Sequence, residues 1–210
     1  MSAPAGAKPR EQARPTSPYL GLTHFTEENA SLFFGRDAER TMIISNLSAV
    51  RLTLLYAPSG VGKSSLLRGG VAARLHELAE RSVAERGTPR YVPVVFSSWA
   101  DDPLAGVVNA IEAASRPFLG DAPASPAEGL EAEILRVTES LEATLLIVLD
   151  QFEEYFLYHG RDTQFADELA RCVNRADLRA NFLISIREDA YAGLGERFEG
   201  RISNVYVLPS

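Results

Sequence analysis

Cysteine, lysine and long apolar stretches are scarce in this chain of 210 residues. Cys172 is the only cysteine, so neither an intrachain disulfide nor a cysteine-based zinc site can form. Within DELARCVNRA it is expected to pack as a small apolar group on a helix. No apolar run approaches the length that spans a bilayer. The opening MSAPAGAKPREQARPTSP lacks the apolar centre of a secretory signal. These absences predict a cytoplasmic chain with no membrane partner. The net charge of -7 counts against a surface built to neutralise nucleic-acid phosphates, although arginines can still gather on one face. Lysine is nearly missing: of the 21 basic residues only Lys8 and Lys63 are lysines. A single lysine in the body of an arginine-using chain marks its surroundings for attention.

What is present suits one α/β domain, and 46% hydrophobic residues can build an ordinary core. Residues 1–17, rich in Ala, Pro and charge, are expected to be a disordered tail. PYLGLTHFTEENASLFFGR (18–36) carries enough large apolar groups that it must dock. DAERTMIISNLSAV (37–50) reads as a helix, with Asp37 as its cap. Five apolar runs read as strands: LTLLYA, YVPVVFSSW, TLLIVLD, FLISIRED and NVYVLP. Pro93 puts the second at a sheet edge, and the strongly apolar third is expected at the centre. Helical patterns separate the strands: Ser64 to about Leu78, 102–118, a stretch ending near Glu142, FEEYFLY, TQFADELARCVNRA and YAGLGERF. Alternation of this kind implies right-handed βαβ units and a mostly parallel five-stranded sheet between two helical layers. The chain ends on its last predicted strand, so a longer module is expected.

The lone body lysine lies in APSGVGKSS, between an apolar strand and a helix. The phosphate-loop pattern is Gly, four residues, then Gly-Lys-Ser/Thr. Ala57 replaces the first glycine, while Gly60, Gly62, Lys63 and Ser64 fit. Gly60 and Gly62 allow a tight path that turns successive N–H groups inward around phosphate oxygens, and the helix beginning near Lys63 adds its N-terminal partial charge. The expected nucleotide contacts are Ser59, Gly60, Val61, Gly62, Lys63, Ser64 and Ser65. Lys63 would reach the β- and γ-phosphates, and the Ser64 hydroxyl would ligate Mg²⁺. An ordinary strand-to-helix turn is the plainer alternative. A second motif weighs against it: Asp150 ends the apolar strand TLLIVLD, where ligands of parallel sheets bind, and can hold Mg²⁺ through its water shell. Helix capping would account for Asp150 alone, but not for Glu153 and Glu154 beside it in an apolar setting. One of that pair is expected to polarise the attacking water. Glu154 is favoured, because it shares the face of Asp150 if the helix starts at once. Arg187, ending FLISIR, is expected to face the γ-phosphate, with an ion pair to a neighbouring acid as the alternative.

Taken together, PYLGLTHF followed by FFGRDAE, then APSGVGKSSLLRGG, VLDQFEEYF and LISIREDAY resemble the STAND NTPases, signal-transduction ATPases related to AAA+ proteins. The resemblance is strongest to the bacterial "novel STAND" type often fused to WD repeats, and it spans residue 18 to the end. It implies a strand inserted in the sheet between the phosphate-loop strand and the Asp150 strand. It also implies that FFGR covers an adenine, with Phe34, Gly35 and Arg36 as contacts. The ligands implied are ATP or ADP with Mg²⁺, and the activity a slow ATP hydrolysis coupled to an assembly or conformational switch. Self-association or effector binding would run through C-terminal regions that this chain lacks. Two other classes remain: a non-catalytic nucleotide-binding scaffold, and a nucleic-acid-handling ATPase, which the acidic charge disfavours.

Overall fold

The computed structural model describes residues 36–120, 127–160, 163–198 and 205–209. The lead-in 18–35, with Phe34 and Gly35, and the tail 1–17 lie outside the described residues. Four six- to eight-residue runs of branched apolar side chains form β1 (Leu52–Ala57), β2 (Tyr91–Phe96), β3 (Thr144–Leu149) and β4 (Ala180–Arg187), and β5 (Val205–Pro209) completes the sheet. The order is β2-β3-β4-β1-β5, and every neighbouring pair is parallel. Such a sheet must be covered on both faces, which is why its strands are nearly continuous apolar runs rather than alternating ones.

Alternate residues supply the two faces. Leu54, Ile147 and Ile184 point into the larger core, with α4 (Pro103–Leu119), α5 (Leu130–Leu141), α6 (Glu153–Tyr158) and α7 (Gln164–Asn174). Leu55, Val148 and Leu183 point into a smaller core. It is closed by α1 (Asp37–Ala49) and by the helix after β1, which begins as α2 (Lys63–Ser65) and ends as α3 (Ala73–Arg86). Between α2 and α3 the helix widens to a π-helical stretch, Leu66–Ala72. A short 3₁₀ turn and α8 (Tyr191–Phe198) link β4 towards β5. The architecture is therefore the expected three-layer α/β core with five parallel strands.

Several local expectations are corrected. β4, not β3, is the middle strand; β3 is buried on both faces, and apolarity reports that burial without reporting position in the order. Pro93 does lie on an edge strand, β2, in line with its missing N–H. That strand stops at Phe96, leaving Ser97 and Trp99 in the following loop. The residue capping α1 is Arg36, and Asp37 is the first helical residue, ion-paired to Arg40 at 2.6 Å. The phosphate-loop helix runs on to Arg86, eight residues past Leu78. Cys172 is fully buried in α7, as its apolar neighbours implied. Among the described residues no helix is long and apolar enough to cross a membrane.

Candidate functional site

The carboxyl ends of β1, β3 and β4 converge, and each delivers one part of the site. β1 opens at Ala57 into the loop that leads to Lys63. Gly60 and Gly62 take φ values of 82° and 84°, the left-handed region that side chains avoid. Gly62 caps α2 in that conformation, so Lys63, Ser64 and Ser65 form the first helical turn. Ser59, Gly60 and Val61 are exposed at the loop crest. The Lys63 ammonium turns back and donates to the carbonyl oxygens of Ala57 (2.9 Å) and Pro58 (3.2 Å). Burial lowers its pKa from the ordinary lysine value, opposed first by the charge of Glu153 and then by that of Asp150. Arg36 also belongs to the loop: one of its terminal nitrogens donates to Val61 O (3.1 Å), while its Nε pairs with Glu39. The one described residue of FFGR is thus in contact with the phosphate loop.

Asp150 follows β3 and is fully buried. Its main chain is fixed at both ends, the N–H donating to Phe96 O (2.8 Å) and the carbonyl accepting from Trp99 Nε1 (2.7 Å). Trp99 is itself buried against Phe96, Phe152, Phe165 and Tyr155, with ring centroids 4.8 to 5.8 Å away. One carboxylate oxygen, Oδ1, accepts from the Gln151 N–H (2.9 Å). The other, Oδ2, is buried and has no hydrogen-bond partner among the described residues. A buried carboxylate oxygen that makes no hydrogen bond among the described residues, with the Arg68 guanidinium 3.8 Å away, is an arrangement that a metal's water shell would satisfy. Ser64 stands in the first turn of α2, and the chemistry of Asp150 is compatible with a metal's water shell.

The expectation for Glu154 fails on its premise. The helix after β3 does not start at once: Gln151 adopts φ 55°, a left-handed turn that no glycine announces, and α6 begins only at Glu153. Glu153 is the acid turned towards the loop. Its Oε2 accepts from the Arg187 N–H (3.2 Å), and it is the strongest of the charges acting on Lys63. Glu154 is not among those charges. Arg187 ends β4 directly beside Ala57 in the parallel register. Its exposed guanidinium pairs with Asp189, Nε to Oδ1 at 3.0 Å, which is the ion-pair alternative rather than an open sensor.

Two groups escaped the sequence reading. Ser185 is fully buried on β4, on the sheet face shared with Asp150, and its hydroxyl has no hydrogen-bond partner among the described residues. Arg68, on the π-helical stretch, reaches towards Asp150. Neither residue type nor spacing marks them; only the strand order and the helix phase bring them to the site.

With this geometry in place, comparison with known proteins is informative. The Aeropyrum pernix ORC2 protein, solved as ADPNP–ADP complexes, superposes with a TM-score of 0.54 at 16% identity, over 85% of this chain and 48% of that one. The Walker-type ATPase PABY2304 of Pyrococcus abyssi gives 0.57 at 15% identity, over 90% of this chain and 57% of that one. At such identities the likeness is one of fold, and the chain spans about half the length of these structures. No curated protein matches in sequence. The family Novel STAND NTPase 1 matches residues 18–208, nearly the whole chain. The chain belongs to the novel STAND NTPases, and its core is a P-loop NTPase fold.

Proposed function

We propose that this chain binds Mg²⁺·ATP or ADP in the loop Ser59–Ser65 and hydrolyses ATP slowly, the nucleotide state working a switch in conformation or assembly. The observation that carries the reading is the placement of Lys63 and Ser64 past the end of β1 and of the buried Asp150 Oδ2 past the end of β3, on either side of β4. Family membership and a fold neighbour described in ADPNP–ADP complexes support it.

The groups divide the work as follows. Lys63 leaves the Ala57 and Pro58 carbonyls for the β- and γ-phosphates, exchanging neutral acceptors for charged ones. Backbone N–H groups around Gly60 and Gly62 cradle the phosphates. The Ser64 hydroxyl and Asp150 would hold Mg²⁺, which supplies charge neutralisation at the phosphate oxygens. Glu153 orients the attacking water and accepts its proton, with Arg187 N–H holding the carboxylate in place. Arg36 is fixed to Val61 O beside the loop, and by the family resemblance Phe34 and Gly35 would contact the base. Arg187 joins the γ-phosphate by giving up Asp189. Signalling, a cytoplasmic site of action, self-association and effector partners belong to the same proposal.

Single-turnover hydrolysis with bound nucleotide identified by chromatography tests it. Glu153→Gln should retain unhydrolysed ATP, while Glu154→Gln should hydrolyse like the parent. The reverse pattern would return the role to Glu154. Binding without turnover in the parent chain would favour the non-catalytic scaffold.

A further inference from the structure

Arg68 has no part in the phosphate loop or in the proton transfer, yet its guanidinium spans the metal side of the site. A terminal nitrogen donates to Ser97 Oγ, one residue past β2, and Nε stands 3.8 Å from Asp150 Oδ2, just past β3. At 3.8 Å the two charges attract without a hydrogen bond. Both atoms are buried, and neither makes a hydrogen bond among the described residues. A purely structural buried pair gains its stability by closing to a charge-assisted bond of about 2.8 Å. Here the gap stays open on both sides, and the strand ends that set it are pinned: Asp150 by Phe96 O and Trp99 Nε1, Arg68 by Ser97.

We propose that Arg68 is a stand-in cation for Asp150, a positioning residue that compensates its buried charge when no metal is bound and leaves Oδ2 free to receive one. When Mg²⁺ arrives with nucleotide, Asp150 turns its charge to the ion's water shell. Arg68, now facing a like charge, is held by Ser97 alone. The same pair thus keeps the empty site folded and sets the Mg²⁺ concentration at which it fills. The loop that starts at Ser97 feels the exchange directly. This inference rests on the Mg²⁺-nucleotide reading above.

The experiment uses the full chain, with Arg68→Gln, Asp150→Asn and the double variant. Melting is followed in EDTA and in saturating Mg²⁺·ADP, and ADP affinity is titrated against Mg²⁺ concentration. Arg68→Gln should lower the melting temperature in EDTA by about 6–20 °C, as an uncompensated buried carboxylate would. That loss should shrink in Mg²⁺·ADP, and the Mg²⁺ midpoint should fall by roughly threefold or more once the competing charge is gone. In the Asp150→Asn background the Arg68 substitution should shift neither quantity. Equal melting losses with and without Mg²⁺·ADP, beside an unchanged Mg²⁺ midpoint, would overturn the proposal. Should Arg68→Gln fail to fold, Arg68→Lys takes its place. That variant keeps the charge and gives up Ser97, so its Mg²⁺ midpoint should stay within about twofold of the parent, and a larger fall would refute the charge argument. A parent chain without ADP affinity would sink the nucleotide reading instead. In that case additive melting losses for positions 68 and 150 in EDTA would still overturn the pairing, and non-additive ones would uphold it.

Discussion

Replacing Trp99 with phenylalanine removes one hydrogen bond and part of one ring, and both losses fall on Asp150. The indole is fully buried, and its Nε1 is the donor to the Asp150 carbonyl. Leaving that carbonyl buried and unpaired costs about 1–3 kcal/mol. Trimming the indole to a phenyl ring amid Phe96, Phe152, Tyr155 and Phe165 opens a small cavity, worth about 1 kcal/mol by comparison with the larger cost of full truncation. The sum is about 2–4 kcal/mol. At about 2–4 °C per kcal/mol for a domain of this size, the melting temperature should fall by about 4–16 °C. Circular dichroism gives the melting temperature. Calorimetry should add a second signature, a loss of Mg²⁺·ADP affinity larger than the loss of metal-free ADP affinity, if Asp150 holds the metal as proposed. A fall below about 2 °C would refute the view that Trp99 anchors the end of β3. A fall of the expected size with equal losses of both affinities would confine Trp99 to the core.

Cys172 and Gln151 give tests away from the nucleotide. Burial pushes the Cys172 thiol from 9.0 up to about 12, so it should resist a thiol reagent at pH 8 in the native chain and react once the chain is unfolded. Because the folded value is the raised one, the stabilisation is complete below pH 9 and is lost between pH 9 and 12, by about 1.4 kcal/mol per pH unit. Cys172→Ala should flatten that alkaline limb, and an unchanged slope would contradict the burial argument. At position 151 the left-handed φ should admit glycine within about 1 kcal/mol of the parent, whereas valine should cost about 2 kcal/mol or more in urea unfolding. Equal tolerance of both would mean that the turn is not held.

Much of the fold was legible because a doubly covered parallel sheet writes itself as unbroken apolar runs. LTLLYA, TLLIVLD and YVPVVFSSW each carry that signature, and Pro93 even marks an edge. The strand order was harder to read. ANFLISIR, the actual middle strand, is diluted by Asn181 and Arg187 near its ends, while β3 is apolar in a higher proportion of its residues one place from the edge. The site followed the same division. Lys63, Ser64 and Asp150 are fixed by a motif whose spacing is its geometry. The choice between Glu153 and Glu154 hung on Gln151, which turns left-handed without being glycine or asparagine. Arg68 was invisible because LLRGG reads as an ordinary helix start, whereas its reach to Asp150 depends on helix phase through a π-helical stretch.

The central claim is that Lys63 sits in a loop shaped for nucleotide phosphate, and calorimetric titration of ATP in Mg²⁺ into the parent chain and Lys63→Ala tests it most directly. Charge-assisted bonds of this kind are worth about 1.5–3 kcal/mol, so the parent should bind and the variant should lose about 10- to 150-fold in affinity. Its melting temperature should change little, because the ammonium's hydrogen bonds among the described residues go to the Ala57 and Pro58 carbonyls of the same loop. Equal affinity for ATP in the two proteins, or no binding by the folded parent, would contradict the account.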